Sequence, residues 1–320
     1  MTVSTVTVTA TLRLGTRGSE LARTQSQAVA DAITAATGTP VELVPIVTEG
    51  DRSSAAIAQL GGTGVFVAAI RRALLEGSVD LAVHSYKDLP TAAEPGLTIA
   101  AVPGREDPRD ALVARDGLTL GELPPGSKVG TGAPRRVAQL RALGLGLDVV
   151  PIRGNVDTRM GRVAGLGGGT ADLDAVVLAR AGLSRLGRLD AITETLDPLQ
   201  VLPAPAQGAL AVECRASDAR TRELVGRLED PAARACVQAE RSTLAALEAG
   251  CSAPVAAYAE VAEGDAGPEL FLRASVTAID GSDAVRGSIS GPLPDAVALG
   301  RALAGELLDR GAAELMAVQQ

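Results

Sequence analysis

The stretch DLAVHSYKDLP, Asp80–Pro90, decides how the rest of the chain reads. A buried strand over Val79–Val83 gives way to Ser85, Lys87 and Asp88, and Pro90 then closes the segment. A buried strand with its polar residues gathered at the carboxyl end marks a parallel α/β sheet, in which ligands sit beyond the strand ends. The flanking segments keep to that scheme. Thr11–Leu14 reads as a strand, Ser19–Ala36 as a helix, Val41–Val47 as a strand, Phe66–Glu76 as a helix and Leu97–Val102 as a strand.

Pro103–Pro108, with Gly104 and mixed charges, reads as a crossing into a second domain, where the pattern restarts. Lys128–Gly130, Val149–Ile152 and Ala175–Leu178 are strands there, and Arg135–Ala142 is a helix. The proline-rich Leu202–Pro205 is a second crossing, followed by a strand over Ala209–Glu213 and a helix over Arg220–Leu228. Two crossings between two α/β units predict two lobes with a central cleft: residues 1–104 and 206–228 form the first, 105–205 the second. Residues 229–320 differ in texture. A helix over Ala232–Leu247, strands near Val255–Glu260, Glu269–Thr277 and Ala284–Ser290, and a helix over Asp295–Arg310 predict a smaller α+β domain. No internal repeat is visible across the three parts.

Composition narrows the function classes. Hydrophobic residues make up 46% of the 320, but there are only two Phe, two Tyr and no Trp, so stacking on aromatic platforms is not expected. The net charge of -8 argues against general binding to nucleic acid. A single histidine, His84, limits any histidine metal site or serine-histidine relay to that residue. His84 alternates inward with Ala82 and reads as a structural histidine. Three cysteines without CxxC spacing, Cys214, Cys236 and Cys251, read as reduced thiols of a cytoplasmic protein. The N-terminus lacks a signal-peptide pattern, and no window is apolar enough to span a membrane.

The polar positions share a pattern. Arg17, Lys87, Arg135, Arg136, Arg153, Arg159 and Arg185 all lie at or beyond the ends of predicted strands. Any one of them alone reads as a solvated surface cation. Together they suit a ligand bearing several carboxylates or phosphates, because arginine binds such groups bidentately and stays charged. Asp88, beside cationic neighbours, could accept an N–H hydrogen bond or stabilise a developing positive charge. Lys87-Asp88 reads equally as an exposed charge pair in a turn. Cys214 and Cys236 read as buried packing residues. Cys251, just past Gly250 and before Ser252 and Pro254, sits on a turn, either as inert packing or as a nucleophilic thiol facing the cleft.

Nine ordered segments resemble the porphobilinogen deaminase family: RLGTRGSELA, VELVPIVTEGD, VHSYKDLP, GREDPRDALV, GTGAPRR, RGNVDTR, LARAGLSRLG, PAPAQGALAVECR and LEAGCSAPV. The resemblance runs from about Arg13 to the C-terminus. It implies two lobes like those of periplasmic binding proteins plus the C-terminal domain presenting a cofactor loop. It implies a dipyrromethane cofactor joined by a thioether to Cys251. It further implies condensation of four porphobilinogen units, with ammonia lost at each step, into the linear tetrapyrrole hydroxymethylbilane. By the same resemblance Asp88 hydrogen-bonds pyrrole N–H groups and stabilises the cation left when ammonia departs. Arg17, Ser19, Lys87, Arg135, Arg136, Arg153, Arg159 and Arg185 match positions that hold the carboxylates, and Ser85, Thr131 and Gln207 match other polar positions of the cleft. The chain departs from the pattern at Gln59 and Thr63, where many relatives carry lysines, and at Ala133, where serine is common. A cytoplasmic monomer acting on porphobilinogen, without nucleic-acid or membrane partners, is the expectation. The alternative is a non-enzymatic organic-anion-binding protein.

Overall fold

The computed structural model describes residues 10–46, 64–167, 171–248, 253–264 and 267–317. Gln59, Thr63 and Cys251 lie outside them. Two compact units divide the chain: Met1–Gly104 with Leu210–Asp230, and Arg105–Ala209 with Pro231–Gln320.

The first unit is a five-stranded sheet, numbered along the chain as β1 (Leu12–Thr16), β2 (Val41–Pro45), β3 (Leu81–Ser85), β4 (Leu97–Ala101) and β10 (Leu210–Arg215). The order is β2-β1-β3-β10-β4, with β1 parallel to β2 and β3, and β10 antiparallel to β3 and β4. Helices α1 (Glu20–Thr37), α2 (Gly64–Leu75) and α6 (Ala219–Gly226) cover it. Ser19 starts α1 by accepting the Ala22 N–H, and Gly38 ends it at φ 69, a left-handed conformation that favours glycine. Leu81 and Val83 of β3 pack with Val29 and Ile33 of α1 and Val225 of α6. Ala82, between them, packs on the opposite side with Ile70 and Leu74 of α2. That two-sided burial is why β3 reads as an unbroken apolar run rather than an alternating one.

The second unit holds two sheets. The larger comprises β5 (Asp110–Ala114), β6 (Lys128–Thr131), β7 (Asp148–Pro151), β8 (Ala175–Ala179) and β9 (Glu194–Thr195), in the order β7-β6-β8-β5-β9. Here β6 is parallel to β7 and β8, whereas β5 runs antiparallel to β8 and β9. Helices α3 (Pro134–Ala142), α4 (Val156–Met160) and α5 (Arg180–Arg185) follow β6, β7 and β8 in turn. Both five-stranded sheets therefore share one topology, although no sequence repeat announces it. In each, the antiparallel fourth strand, β10 or β5, is the first strand after a crossing. Both sheets are mixed where the sequence pattern had suggested parallel units. β5, with the short alanine-rich sequence DALVA and no β-branched enrichment beyond one valine, gave no strand signal.

The smaller sheet, β11 (Val255–Gly264), β12 (Gly267–Thr277) and β13 (Ala284–Pro292), is an antiparallel meander. One face packs on α7 (Pro231–Ala246) and α8 (Ala296–Asp309), with α9 (Ala312–Ala317) beyond. Gly300 of α8 lets these helices touch, since a Cβ there would lie 2.3 Å from the Ala239 carbonyl oxygen. With so few aromatic rings, close approach of small residues and leucines is how this core fills.

Candidate active site

In the first unit, the predicted residues collect at the carboxyl ends of β1 and β3. Arg17 follows β1, Ser85 ends β3, and a single 3-10 turn, Tyr86–Asp88, then carries Lys87 and Asp88. Arg17, Ser85 and Asp88 line one cavity together with Gln25, His84 and apolar Val67, Ile70 and Val83. Gln25 holds Ser85 in place, its Nε2 donating to the hydroxyl at 3.2 Å. Ser19 works as the N-cap of α1, next to Arg17.

His84 is satisfied internally. Its Nε2 lies 3.1 Å from Oε2 of Glu213 on β10, and Arg71 of α2 donates to the same carboxylate from Nε and Nη2, at 3.1 and 2.9 Å from Oε1. Burial works to raise the Glu213 pKa, but hydrogen bonds from His84 and Arg71 outweigh it and hold the carboxyl below its ordinary value. The strand that ends in Ser85 is therefore anchored by a buried charge cluster. Neither Arg71 nor Glu213 stood out in the sequence, because partners 142 residues apart have no local signal.

In the second unit, Arg135, Arg136 and Gln207 converge on an internal acid, Asp110, which is fully buried. Arg135 Nη2 donates to Oδ2 at 2.8 Å, and Arg136 Nε and Nη2 donate to Oδ1 at 3.0 and 2.8 Å. Gln207 Nε2 adds 2.8 Å to Oδ1 and 2.7 Å to the Pro108 carbonyl. Burial alone would raise the Asp110 pKa; the charges of Arg135 and Arg136 hold it well below the usual carboxylate range. The sequence had set these two arginines against a ligand's carboxylates, and the structure gives them a carboxylate of the protein's own. Arg135 also donates to the Leu202 carbonyl at 2.6 Å, and Arg136 to that of Val177 at 3.0 Å.

Other predicted cations have no such answer. Arg159 Nε donates to the Gly154 carbonyl at 2.8 Å, and Arg185 Nη2 to that of Gly208 at 2.7 Å, with no carboxylate paired to either among the described residues. Burial pulls the pKa of both down, and the charge of Arg136 adds to the effect at Arg159. Arg153 is exposed at the end of β7. Thr131 is buried at the end of β6, and its hydroxyl oxygen accepts the Ala133 N–H at 3.4 Å. Beside it, Gly132 lies against β7, since a Cβ would stand 2.7 Å from the Ile152 carbonyl oxygen. The structure adds Arg180, the first residue of α5, which pairs with Asp107 at 3.4 Å. Its place directly after the AVVLA strand was the signal available for it.

Cys214 and Cys236 are buried, and burial pushes the Cys214 thiol up to about 11. Among the described residues no group of His, Cys, Asp and Glu could hold a metal ion, and no helix is long and apolar enough to cross a membrane.

Comparisons with known proteins bear on this arrangement. Residues 12–223 match the model for the porphobilinogen deaminase, dipyromethane cofactor binding domain, and residues 234–309 match that for the porphobilinogen deaminase C-terminal domain. The porphobilinogen deaminase of Nocardia farcinica is 61% identical over 310 residues, covering 95% of this chain and 88% of its own. That of Mycobacterium tuberculosis is also 61% identical, over 95% of this chain and 98% of its own. That of Mycobacterium avium is 60% identical, covering 95% and 96%. Among solved structures, the methionine binding protein MetQ aligns with 68% of this chain and 89% of its own at 13% identity and a TM-score of 0.41. A periplasmic substrate-binding protein from Coxiella burnetii aligns with 70% and 94% at 14% identity and a TM-score of 0.42. Two family models in sequence order and relatives this similar along nearly the whole chain establish that the protein belongs to the porphobilinogen deaminase family.

Proposed function

We infer that this chain condenses four porphobilinogen units head to tail into hydroxymethylbilane, releasing ammonia, on a covalently bound dipyrromethane primer in tetrapyrrole biosynthesis. The observation that carries this is the 61% identity to porphobilinogen deaminases over 95% of the chain.

The donor set suits the primer. Each pyrrole carries an acetate and a propionate, and Arg159 and Arg185 are partly buried cations without an ion-pair partner among the described residues, although the charge of Glu106 acts on Arg185 from beyond pairing distance. A desolvated guanidinium gains most from an anion that reaches it. The chemistry supplied by bound dipyrromethane is that of a primer, a terminal pyrrole carbon onto which units are added. Arg159, Arg185 and exposed Arg153 would hold its carboxylates and those of the growing chain, with Arg17 and Lys87 serving the same purpose in the first unit. Arg135, Arg136, Thr131 and Gln207 would act from underneath, by fixing the ends of β5 and β6 around Asp110. Cys251 would be the thioether anchor, made once.

Asp88 would act in every condensation. Its carboxylate borders the cavity with Arg17 and Ser85. There it would accept pyrrole N–H hydrogen bonds and stabilise the positive charge that develops as ammonia leaves porphobilinogen. This is stabilisation by a preorganised charge. Gln25 and the Glu213 cluster supply the preorganisation by locking Ser85 and His84, while Ser19 starts the helix beside Arg17. We further read the enzyme as a cytoplasmic monomer, from its acidic composition and cysteine pattern; a dimer in sedimentation would overturn that.

The direct test is ammonia release and tetrapyrrole formation from porphobilinogen, together with intact-protein mass. The expected mass exceeds that of the chain by one dipyrromethane, and the excess disappears in Cys251→Ser. Reversible binding of porphobilinogen with no ammonia release would refute the reading.

A further inference from the structure

The pairing of β12 with β13 sets Arg273 opposite Ser288 and Arg286 opposite Ser275. Strand alternation puts these four side chains on one face of the smaller sheet, while Leu272, Ala274 and Val276 face the core under α7 and α8. The arginine face borders a cavity of about 280 Å³ whose other walls come from α3 and the segment before the second crossing. It contains none of the arginines assigned above to the primer.

The two arginines are diagonal neighbours, about 7–8 Å apart with their Cβ atoms somewhat closer, near enough for their long side chains to repel one another. Arg273 is braced by the rings of Tyr258 and Phe271, each centred 5.5 Å from its guanidinium carbon. Its nearest acid, Glu260, is 3.8 Å away, and its Nε is buried without a hydrogen-bond partner. Arg286 is exposed and has no ion-pair partner among the described residues. One acid against two adjacent cations leaves room for an anion. The opposite wall is apolar. Gln139 spends its amide on the Leu202 backbone, donating at 3.0 Å and accepting at 2.7 Å, and Leu199 stands 76% exposed at the rim.

We propose that this cavity binds a small amphipathic dicarboxylate, its anionic end on Arg273, Arg286 and the two serines and its apolar body against Leu199 and Leu202. The volume falls just under the range of about 300–1,000 Å³ typical of ligand pockets, so the ligand is compact. The Leu202 carbonyl held by Gln139 also accepts from Arg135, which ties this wall to the Asp110 cluster.

Phthalate is a suitable probe, titrated into the holoenzyme by calorimetry with sulfate as a purely polar comparison. The expected result is a Kd of about 1 mM or tighter, weakened about tenfold in Arg286→Gln and unchanged in Arg159→Leu. Ammonia release by Arg286→Gln should match that of the unaltered enzyme. Absence of phthalate binding at about 10 mM would overturn the proposal, as would equal affinity for sulfate. Binding that survives Arg286→Gln, or that is lost in Arg159→Leu instead, would overturn it equally and place the anion elsewhere.

Discussion

Replacing Asp110 by asparagine removes one negative charge from a fully buried site that also holds the guanidinium groups of Arg135 and Arg136. The carboxylate accepts four hydrogen bonds of 2.8–3.0 Å, three of them from those arginines and one from Gln207. Asparagine keeps the shape but leaves two desolvated cations facing an amide, and breaking a buried pair in this way costs about 3–5 kcal/mol. With a urea slope of about 2–3 kcal/mol per molar, the unfolding midpoint of this unit should fall by roughly 1–2 M. Asp172→Asn is the control. It removes an ion pair of similar geometry, with Arg162 at 2.5 Å, but at the surface, where solvent screening leaves little stability to lose.

The pH dependence gives a second readout. Because the folded Asp110 pKa is depressed, its stabilisation is fully present above the unfolded value of about 3.9 and is lost as pH falls from there toward the folded value. Glu213 contributes with the same sign. Asp110→Asn should therefore show a shallower loss of stability below about pH 4 than the unaltered protein. Urea midpoints from circular dichroism across acid pH would measure both effects. If Asp110→Asn shifts the midpoint no more than Asp172→Asn, or keeps the full acid slope, the buried-hub argument is wrong.

Three further outcomes are expected. Asp88→Ala should lower ammonia release by at least about a hundredfold while changing the unfolding free energy by less than about 0.5 kcal/mol, since a partly exposed carboxylate carries little packing; residual turnover near the normal rate would remove it from the mechanism. Arg159→Leu should be neutral or slightly stabilising in apoprotein, because it deletes a partly buried cation with no carboxylate beside it, yet should raise KM about tenfold; clear destabilisation of the apoprotein with unchanged KM would contradict the carboxylate-holding role. Alkylation by iodoacetamide under native conditions should spare Cys214 and Cys236, both buried, and react with them only on unfolding; rapid native labelling of either, located by peptide mass, would refute their packing role.

The sequence by itself determined the family, the alternation of strands and helices, and the candidates at strand ends. Those features are written locally: DLAVHSYKDLP carries its own strand, its own turn and its own Asp88. Only the tertiary structure decided what each charged group faces. Arg135 and Arg159 look alike in sequence, each just past a strand, but one meets Asp110 and the other no carboxylate among the described residues. The acid that separates them sits on β5, whose alanine-rich sequence gave no strand signal, and it reaches Arg135 across 25 residues of chain. Glu213 and Arg71 lie still further apart, and the cavity between Arg273, Arg286 and Leu202 assembles four separate segments. Burial and charge pairing depend on which strands become neighbours, a property of the folded sheet order that no local pattern records.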